Sequence, residues 1–183
     1  MPFFSKSALS YIYIYSIMLN NFELENIAQH YNFPLTVLMK DELVNHKAKT
    51  GNYIINLESS SQGNGTHWLS SKIDGKNCFY QDSFGIIPPK EVIDFCKRIP
   101  NSRLAFSEIQ MQEITTETCG WYAVGLLIHL NCTKKKDIFK SAGEYINQFS
   151  YDSKNNNAIL KKFFRNLPQS KGFKLLSKLY SQK

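Results

Sequence analysis

The stretch CGWYAVGLLIHL, residues 119 to 130, decides the fold because it is apolar on nearly every side of a helix. A helix with this pattern must be buried all round, so the rest of the chain has to supply the layers that cover it. Cys119 and Gly120 stand at its start. Three threonines lie just ahead of it as candidate N-terminal caps, namely Thr115, Thr116 and Thr118.

The chain before this helix predicts mainly strands. YIINL (53 to 57) has the composition of a strand, and THWLSSKI and NCFYQDSF flank DGK, which is a strong hairpin signal. RLAFSEIQMQEI (103 to 114) alternates enough to be a further strand.

Helices are predicted between and after these strands. Residues 21 to 45 read as a helix, a break at Pro34 and a second helical turn, and IIPPKEVIDFCKRI reads as a helix packed across the sheet. Further helices are expected within KKKDIFKSAGEYINQFS and near NAILKKFFRNL. This order of elements predicts an α+β fold with the central buried helix packed on a mixed sheet.

Length and composition place the chain among ordinary globular domains. At 183 residues, with 43% apolar and 20% charged residues, it is predicted to form one domain over 1–183, and neither disorder nor a membrane bundle is indicated. Residues 1–20, with the alternating YIYIY, predict an extended strand or a docked N-terminal arm, and Met18 is an alternative start. The four cysteines are spaced singly, so we expect free thiols, no structural zinc and no disulfide framework.

The net charge of +7 lies entirely in the C-terminal 23 residues, where seven Lys or Arg and no acidic residue occur. Two interpretations stand side by side. Interleaved with Phe and Tyr, the charge is typical of a polyanion-binding segment, and it is equally typical of an amphipathic helix with a solvated Lys face. The candidate DNA-binding residues in this basic segment, 161–183, are Lys161, Lys162, Arg165, Lys171, Lys174 and Lys178.

Cys119 has two interpretations, a small buried hydrophobe or a nucleophile at a helix N-terminus. Partial positive charge and free backbone N–H groups at that end favour the thiolate, but most single cysteines in apolar helices only pack. A nucleophile needs a base. His129 is excluded because it lies nearly three turns further along the same helix, and His30 and His46 lie in polar, helical stretches.

His67 is the better candidate base, although an exposed residue at a strand end is the competing interpretation. It follows a Gly-rich loop, and Asp82 lies fifteen residues on at a comparable distance from the DGK turn. On paired strands their side chains are expected to project near one another. Acyl transfer also needs donors for an oxyanion, and Gln112 with the Cys119 N–H is the candidate pair, with Gln110 as the alternative.

The ordered set GTHW, QDSFG and QEITTETCGWYAVGLL, within residues 67 to 126, resembles the adenain-like cysteine proteases. This group contains the adenovirus maturation protease and its relatives in virophages and Polinton-like elements, within the broader ubiquitin-like-protein-specific proteases. One departure is Asp82, where the adenovirus enzyme has Glu, although the deconjugating relatives use Asp. Another is the YIYIY arm, for which the family offers no counterpart.

The resemblance implies a papain-like cysteine protease core in which Cys119, His67 and Asp82 form a triad and Gln112 serves the oxyanion. It implies a viral maturation endopeptidase that cleaves capsid or core precursor proteins near small residues such as Gly, in the virion or at its assembly site in host cytoplasm or nucleus. Trp68 and Gly120 are candidates to line the substrate cleft. No metal or cofactor is implied for the chemistry, and no membrane partner is expected.

The family resemblance also implies activation by viral DNA and by a small peptide bound partly through a cysteine, with Cys96 as the candidate. Two alternative functions stay open. A deconjugase that removes a ubiquitin-like modifier would use the same residues. A non-catalytic virion protein that binds nucleic acid through its basic tail would use none of them.

Overall fold

A computed structural model describes residues 18–63, 65–133 and 137–167 of the chain. The strands are β1 (Thr36–Met39), β2 (Gly51–Asn56), β3 (Trp68–Asp74), β4 (Asn77–Gln81) and β5 (Arg103–Ser107). The α-helices are α1 (Asn21–His30), α2 (Lys90–Lys97), α3 (Cys119–Cys132), α4 (Ile138–Ile146) and α5 (Asn156–Asn166). Two 3₁₀ helices, Lys40–Val44 and Ser153–Asn155, complete the described elements.

The five strands form one mixed sheet in the order β1-β2-β3-β4-β5. The central strand β3 runs antiparallel to both of its neighbours, β2 and β4, whereas each edge strand, β1 and β5, runs parallel to its neighbour. The predicted hairpin is confirmed, because Asp74 pairs with Asn77 across a two-residue turn. Gly75 in that turn has φ of +57°, a left-handed conformation that glycine adopts without steric cost.

Helix α3 is buried along nearly its whole length and packs against β3, as the apolar sequence predicted. Alternate strand residues face opposite sides of the sheet. Ile54 and Phe79 pack with α3 on one face, whereas Tyr53 and Tyr80 pack with α2 on the other face. The α+β prediction, with a central buried helix on a mixed sheet, is therefore confirmed.

Two predicted elements were wrong in part. Residues 36–39 form a strand because they pair with β2 in parallel register, so the helical turn expected after Pro34 begins only at Lys40. The strand predicted over 103–114 ends at Ser107. Beyond it, the backbone N–H groups of Met111 and Gln112 donate to the Ser83 carbonyl, which draws the chain into a loop.

Several predictions fall on the chain ends. Most of the predicted N-terminal arm and the C-terminal residues 168–183 lie outside the described residues. Within the described part, Leu19 is buried, and its carbonyl accepts a 2.6 Å hydrogen bond from the Trp68 indole. None of the described helices is long and apolar enough to cross a lipid bilayer.

Candidate active site

Cys119 is the first residue of α3, where its side chain is 3% exposed. Thr118 occupies the N-cap position, but the expected threonine cap is wrong because its hydroxyl makes no capping bond. The Thr118 hydroxyl donates instead to Asn157 Oδ1 at 3.1 Å. The first turn of α3 also contains no acidic residue, so its N–H groups and partial positive charge stay directed towards the thiol region.

His67 and Asp82 form a buried hydrogen-bonded pair. The distance between His67 Nε2 and Asp82 Oδ1 is 2.9 Å, and the two residues are only 7% and 1% exposed. The same carboxylate oxygen accepts the backbone N–H of Phe84 at 2.7 Å, and the Phe84 ring stacks on the imidazole with centroids 4.7 Å apart. The backbone N–H of Phe84 thus holds the Asp82 carboxylate in place. Asp82 binds one edge of the His67 imidazole, and the Phe84 ring covers one of its faces.

The Cys119 side chain lies close enough to the His67 imidazole to raise its pKa. Because Asp82 occupies Nε2, the nitrogen left to face the thiol is Nδ1. Burial alone would lower the pKa of His67, but the hydrogen bonds and negative charge supplied by Asp82 and Cys119 outweigh it and raise the pKa to about 9. The imidazole is therefore held in its protonated form at neutral pH.

A short, tightly bonded loop delivers His67 to this position. The His67 carbonyl accepts the Leu57 N–H at 2.9 Å, and the Asn56 side chain accepts the Thr66 N–H at 3.3 Å. Gly65 has φ of +95°, and a Cβ there would lie 2.2 Å from Asn56 Nδ2, so only glycine fits. The glycine two residues before His67 is thus required by the approach of Asn56.

Gln112 is 1% exposed and lies in the loop before α3. Its Oε1 accepts a hydrogen bond from the Ser83 hydroxyl at 2.6 Å, and its Nε2 donates to the Thr116 carbonyl at 2.5 Å. Gln110, the alternative oxyanion residue, instead donates its side-chain amide to the Gln112 carbonyl at 3.0 Å. The structure therefore fixes the Gln112 amide at both ends and uses Gln110 to brace the same loop.

Two asparagines that the sequence analysis missed support this loop. Asn156 is fully buried, and its Nδ2 donates to the Met111 carbonyl at 3.0 Å. Asn157 Oδ1 accepts from the hydroxyls of Thr118 at 3.1 Å and Tyr122 at 3.2 Å. The start of α5 thereby ties down the segment between Gln112 and Cys119. In the sequence only the run NNN at 155 to 157 marked these residues, and nothing in it pointed to the loop.

The structure places Trp68 and Gly120 in the core beside Cys119. Trp68 is 6% exposed, and a Cβ added to Gly120 would lie 3.2 Å from Trp68 Cδ1 and 3.1 Å from Leu19 Cβ. Gly120 thus lets Leu19 and Trp68 pack on the start of α3, and its role as clearance for a substrate stays a prediction. Trp68 also lines a cleft of about 550 Å³ beside β1, together with Val37, Met39 and Gly65 among others.

The candidate DNA-binding residues divide between described and undescribed parts of the chain. On α5, Leu160 and Phe164 are buried, whereas Lys162 and Arg165 are exposed. The described part of the basic segment is therefore an amphipathic helix with Lys161 also on it. Lys171, Lys174 and Lys178 lie outside the described residues.

The other cysteines lie away from this site. All four are free thiols, and Cys132 is exposed. Cys78 and Cys96 are buried in the same apolar cluster on the opposite face of the sheet. Within residues 18–63, 65–133 and 137–167, no group of three or more His, Cys, Asp or Glu is arranged to hold a metal ion.

Comparison with known proteins gives structural neighbours only. No protein-family model matches the chain, and no curated protein matches it. Among crystal structures, the selenomethionine form of the ASFV pS273R protease is similar, with a TM-score of 0.48 and 17% identity over 85% of this chain and 69% of that one. AvrA delL154 with IP6 and CoA is also similar, with a TM-score of 0.40 and 15% identity over 84% of this chain and 56% of that one. These values carry no functional information, so the chemistry of the site is derived from its residues.

Proposed function

We propose that the protein is a cysteine endopeptidase with Cys119 as nucleophile, His67 as general base and acid, and Asp82 as the residue that orients His67. One observation carries the proposal: the buried His67 imidazole is held by Asp82 through Nε2 at 2.9 Å and lies close enough to the Cys119 side chain for that side chain to raise its pKa. This series of a buried carboxylate, an imidazole and a thiol is the arrangement that activates a nucleophile for acyl transfer.

The reaction follows from these positions. The Cys119 thiolate attacks the scissile carbonyl carbon, and the resulting oxyanion accepts hydrogen bonds from Gln112 Nε2 and the Cys119 N–H. The C–N bond then breaks, and the His67 imidazolium gives its proton to the leaving amine, which leaves a thioester on Cys119. His67 next takes a proton from water as the water attacks the thioester, and collapse releases the carboxylic acid product and restores the thiolate.

The site geometry also favours thin substrates. Cys119 and His67 are 3% and 7% exposed, so a scissile bond must approach through a narrow opening. Residues without bulky side chains, Gly above all, pass such an opening with least steric cost. We place the substrate chain on one side of the scissile bond in the cleft beside Trp68, and, with the adenain-like resemblance as support, propose viral capsid or core precursors as substrates, cut in the virion or at its assembly site.

A proteome-derived peptide library, digested with purified protein and read by mass spectrometry, tests this function. We expect cleavage after small residues by the wild type and none by Cys119→Ser. Cys132→Ser is the matched control, because it removes an exposed thiol without touching the site, and it should cleave as the wild type does. Cleavage that persists in Cys119→Ser would refute the nucleophile.

A second assay separates the endopeptidase from a deconjugase. The substrates are ubiquitin and SUMO, each with a C-terminal fluorogenic amide after Gly-Gly. A deconjugase would release the fluorophore from them efficiently, whereas an enzyme for extended capsid precursors would not. Co-expression with candidate capsid proteins gives the positive counterpart. Rapid release of either modifier with no library cleavage would move the assignment to deconjugation.

DNA stimulation is a further part of the proposal, supported by the basic segment. Removing residues 161–183 as a block would also remove Phe164, which is 2% exposed and contacts Trp121. Lys162→Gln with Arg165→Gln changes only exposed charges and is the cleaner variant. We expect this double variant to weaken DNA binding and to reduce any DNA stimulation. Unchanged binding would show that the described part of the segment serves packing.

Strong DNA binding with no Cys119-dependent cleavage would favour a non-catalytic virion protein.

Peptide activation through Cys96 is also proposed, and it requires a structural change that exposes this cysteine. Cys96 is 1% exposed and is buried in the same apolar cluster as Cys78. A peptide thiol could reach it only if α2 moved away from the sheet. A mixed disulfide formed at Cys96 of the folded protein would support activation through this cysteine.

A further inference from the structure

We infer that Ser83 is a positioning residue that aims the amide of Gln112 at the oxyanion, a role that rests on the proposed peptidase function. Ser83 is 2% exposed and follows Asp82 directly at the end of β4. Its hydroxyl donates to Gln112 Oε1 at 2.6 Å, which is a short bond for two neutral groups. No part of the chemistry above requires this hydroxyl to touch substrate.

The orientation of the Gln112 amide is set by the chemistry of its two partners. The Thr116 carbonyl can only accept, so it selects the Nε2 end of the amide. The Ser83 hydroxyl then meets Oε1 and acts as donor. Thr116 holds one of the two Nε2 hydrogens, and the proposed mechanism assigns the second to the incoming carbonyl oxygen. Without Ser83, the amide has one fixed end and can rotate.

Ser83 also holds the loop of Gln112 through its backbone. Its carbonyl accepts the N–H groups of both Met111 and Gln112, each at 2.8 Å. These bonds do not depend on the side chain, so a variant that loses only the hydroxyl keeps the loop in place. The effect of the hydroxyl can therefore be separated from the effect of the loop.

The position of Ser83 next to Asp82 couples two halves of the site. Asp82 fixes the imidazole through His67 Nε2, and Ser83 fixes the oxyanion donor through Gln112 Oε1. Two consecutive residues just after β4 therefore bond to the candidate base and to the candidate oxyanion donor. The QDSFG motif therefore contains both residues, although the sequence alone indicated a role only for Asp82.

Ser83→Ala tests the inference because it should slow turnover without slowing the alkylation of Cys119. The oxyanion forms only during turnover, so we expect kcat to fall about tenfold, the order expected for one lost neutral hydrogen bond, with little change in KM. Alkylation of Cys119 by iodoacetamide forms no oxyanion and should keep its wild-type rate. A parallel fall in alkylation would place the damage at Asp82 and His67 and overturn the role of Ser83.

A double-mutant cycle with Gln112→Ala makes the test specific. If Ser83 acts through Gln112, Ser83→Ala should cause no further loss of kcat in the Gln112→Ala background. Losses that multiply would overturn the inference, as would an unchanged kcat in the single variant. Ser83→Thr retains a hydroxyl and should keep more activity than Ser83→Ala.

One measurement needs no turnover and keeps the two proposals distinguishable. The side-chain amide protons of Gln112, followed by NMR, should exchange slowly in the wild type and faster in Ser83→Ala, and equal exchange would overturn the positioning role. Absence of any Cys119-dependent cleavage by the wild type would instead remove the proposed function itself. Normal wild-type cleavage with unaltered Ser83→Ala turnover would overturn only the role of Ser83.

Discussion

Asp82 Oδ1 accepts a hydrogen bond from the His67 imidazole at 2.9 Å, and the same oxygen accepts one from the backbone N–H of Phe84 at 2.7 Å. A carboxylate that is itself fixed can orient an imidazole, because neither partner needs to be ordered when a substrate binds. The pair is covered by the Phe84 ring, so water competes little for either bond. The orientation of His67 is therefore built into the folded chain.

Asp82→Asn should leave the fold intact and reduce kcat/KM for peptide cleavage by a factor on the order of 10²–10⁴. The amide keeps the size of the carboxylate but loses its charge and no longer stabilises the imidazolium. Steady-state cleavage of a library-derived peptide measures the loss, and circular dichroism checks the fold. Activity within twofold of wild type would contradict the role of Asp82.

The pH dependence of cleavage should follow the raised pKa of His67. Protonation of the leaving amine requires the imidazolium, so activity should persist above pH 6.5, the ordinary pKa of histidine, and fall as the pH rises through about 9. In Asp82→Asn the descending limb should move to lower pH. A wild-type limb centred near 6.5 would contradict the ion-paired imidazole.

The same shift links His67 to stability. Because its pKa is higher in the folded chain than in the unfolded chain, His67 stabilises the fold fully below its unfolded pKa of about 6.5. That contribution is lost as the pH rises through about 9. Denaturant melts at several pH values should show it, and His67→Ala should remove it.

Asn156→Ala should lower the free energy of unfolding by about 1–3 kcal/mol, because it removes the amide that donates to the buried Met111 carbonyl and to the Ser150 carbonyl. Asn155→Ala is the matched control in the same NNN run, since Asn155 is exposed and should change stability by less than about 0.5 kcal/mol. Urea denaturation measures both variants. Equal effects would show that Asn156 does not brace the loop.

Gly85→Ala should destabilise the turn that carries Asp82. Gly85 has φ of +74°, and an added Cβ would lie 2.5 Å from the Glu108 carbonyl oxygen, so the two loops must separate. We expect a loss of about 3 kcal/mol with reduced cleavage. Gly75→Ala, at φ of +57° with open space around the Cβ, should cost only about 1–2 kcal/mol and leave cleavage unchanged. Equal losses would contradict the packing of Gly85 on Glu108.

The elements and pairings that local sequence controls were predictable. The apolar run after Cys119 required a buried helix, and the DGK turn set the register that brings Asp82 within reach of His67. Strand β1 was missed because TVLM becomes a strand only by pairing with β2, a tertiary contact that its own sequence does not encode. The predicted strand over 103–114 was too long because the Ser83 carbonyl captures the N–H groups of Met111 and Gln112.

The candidate site was predictable only for residues with distinctive chemistry. Cys119, His67 and Asp82 are rare, reactive types, and the structure bonds His67 to Asp82 and brings Cys119 near the imidazole. Ser83 and Asn156 are common types whose importance depends on which atoms they meet after folding. The supporting residues therefore required the structure, whereas the candidate catalytic residues could be named from the sequence.

Competition among the thiols for iodoacetamide at near-neutral pH, read by peptide mass spectrometry, tests the central claim most directly. Exposure alone would favour Cys132, which is exposed, over Cys119, which is 3% exposed. An activated thiolate reverses that order, so we predict that Cys119 is labelled first and that His67→Ala abolishes its advantage. Faster labelling of Cys132, with Cys119 unaffected by His67→Ala, would contradict a Cys119 nucleophile activated by His67.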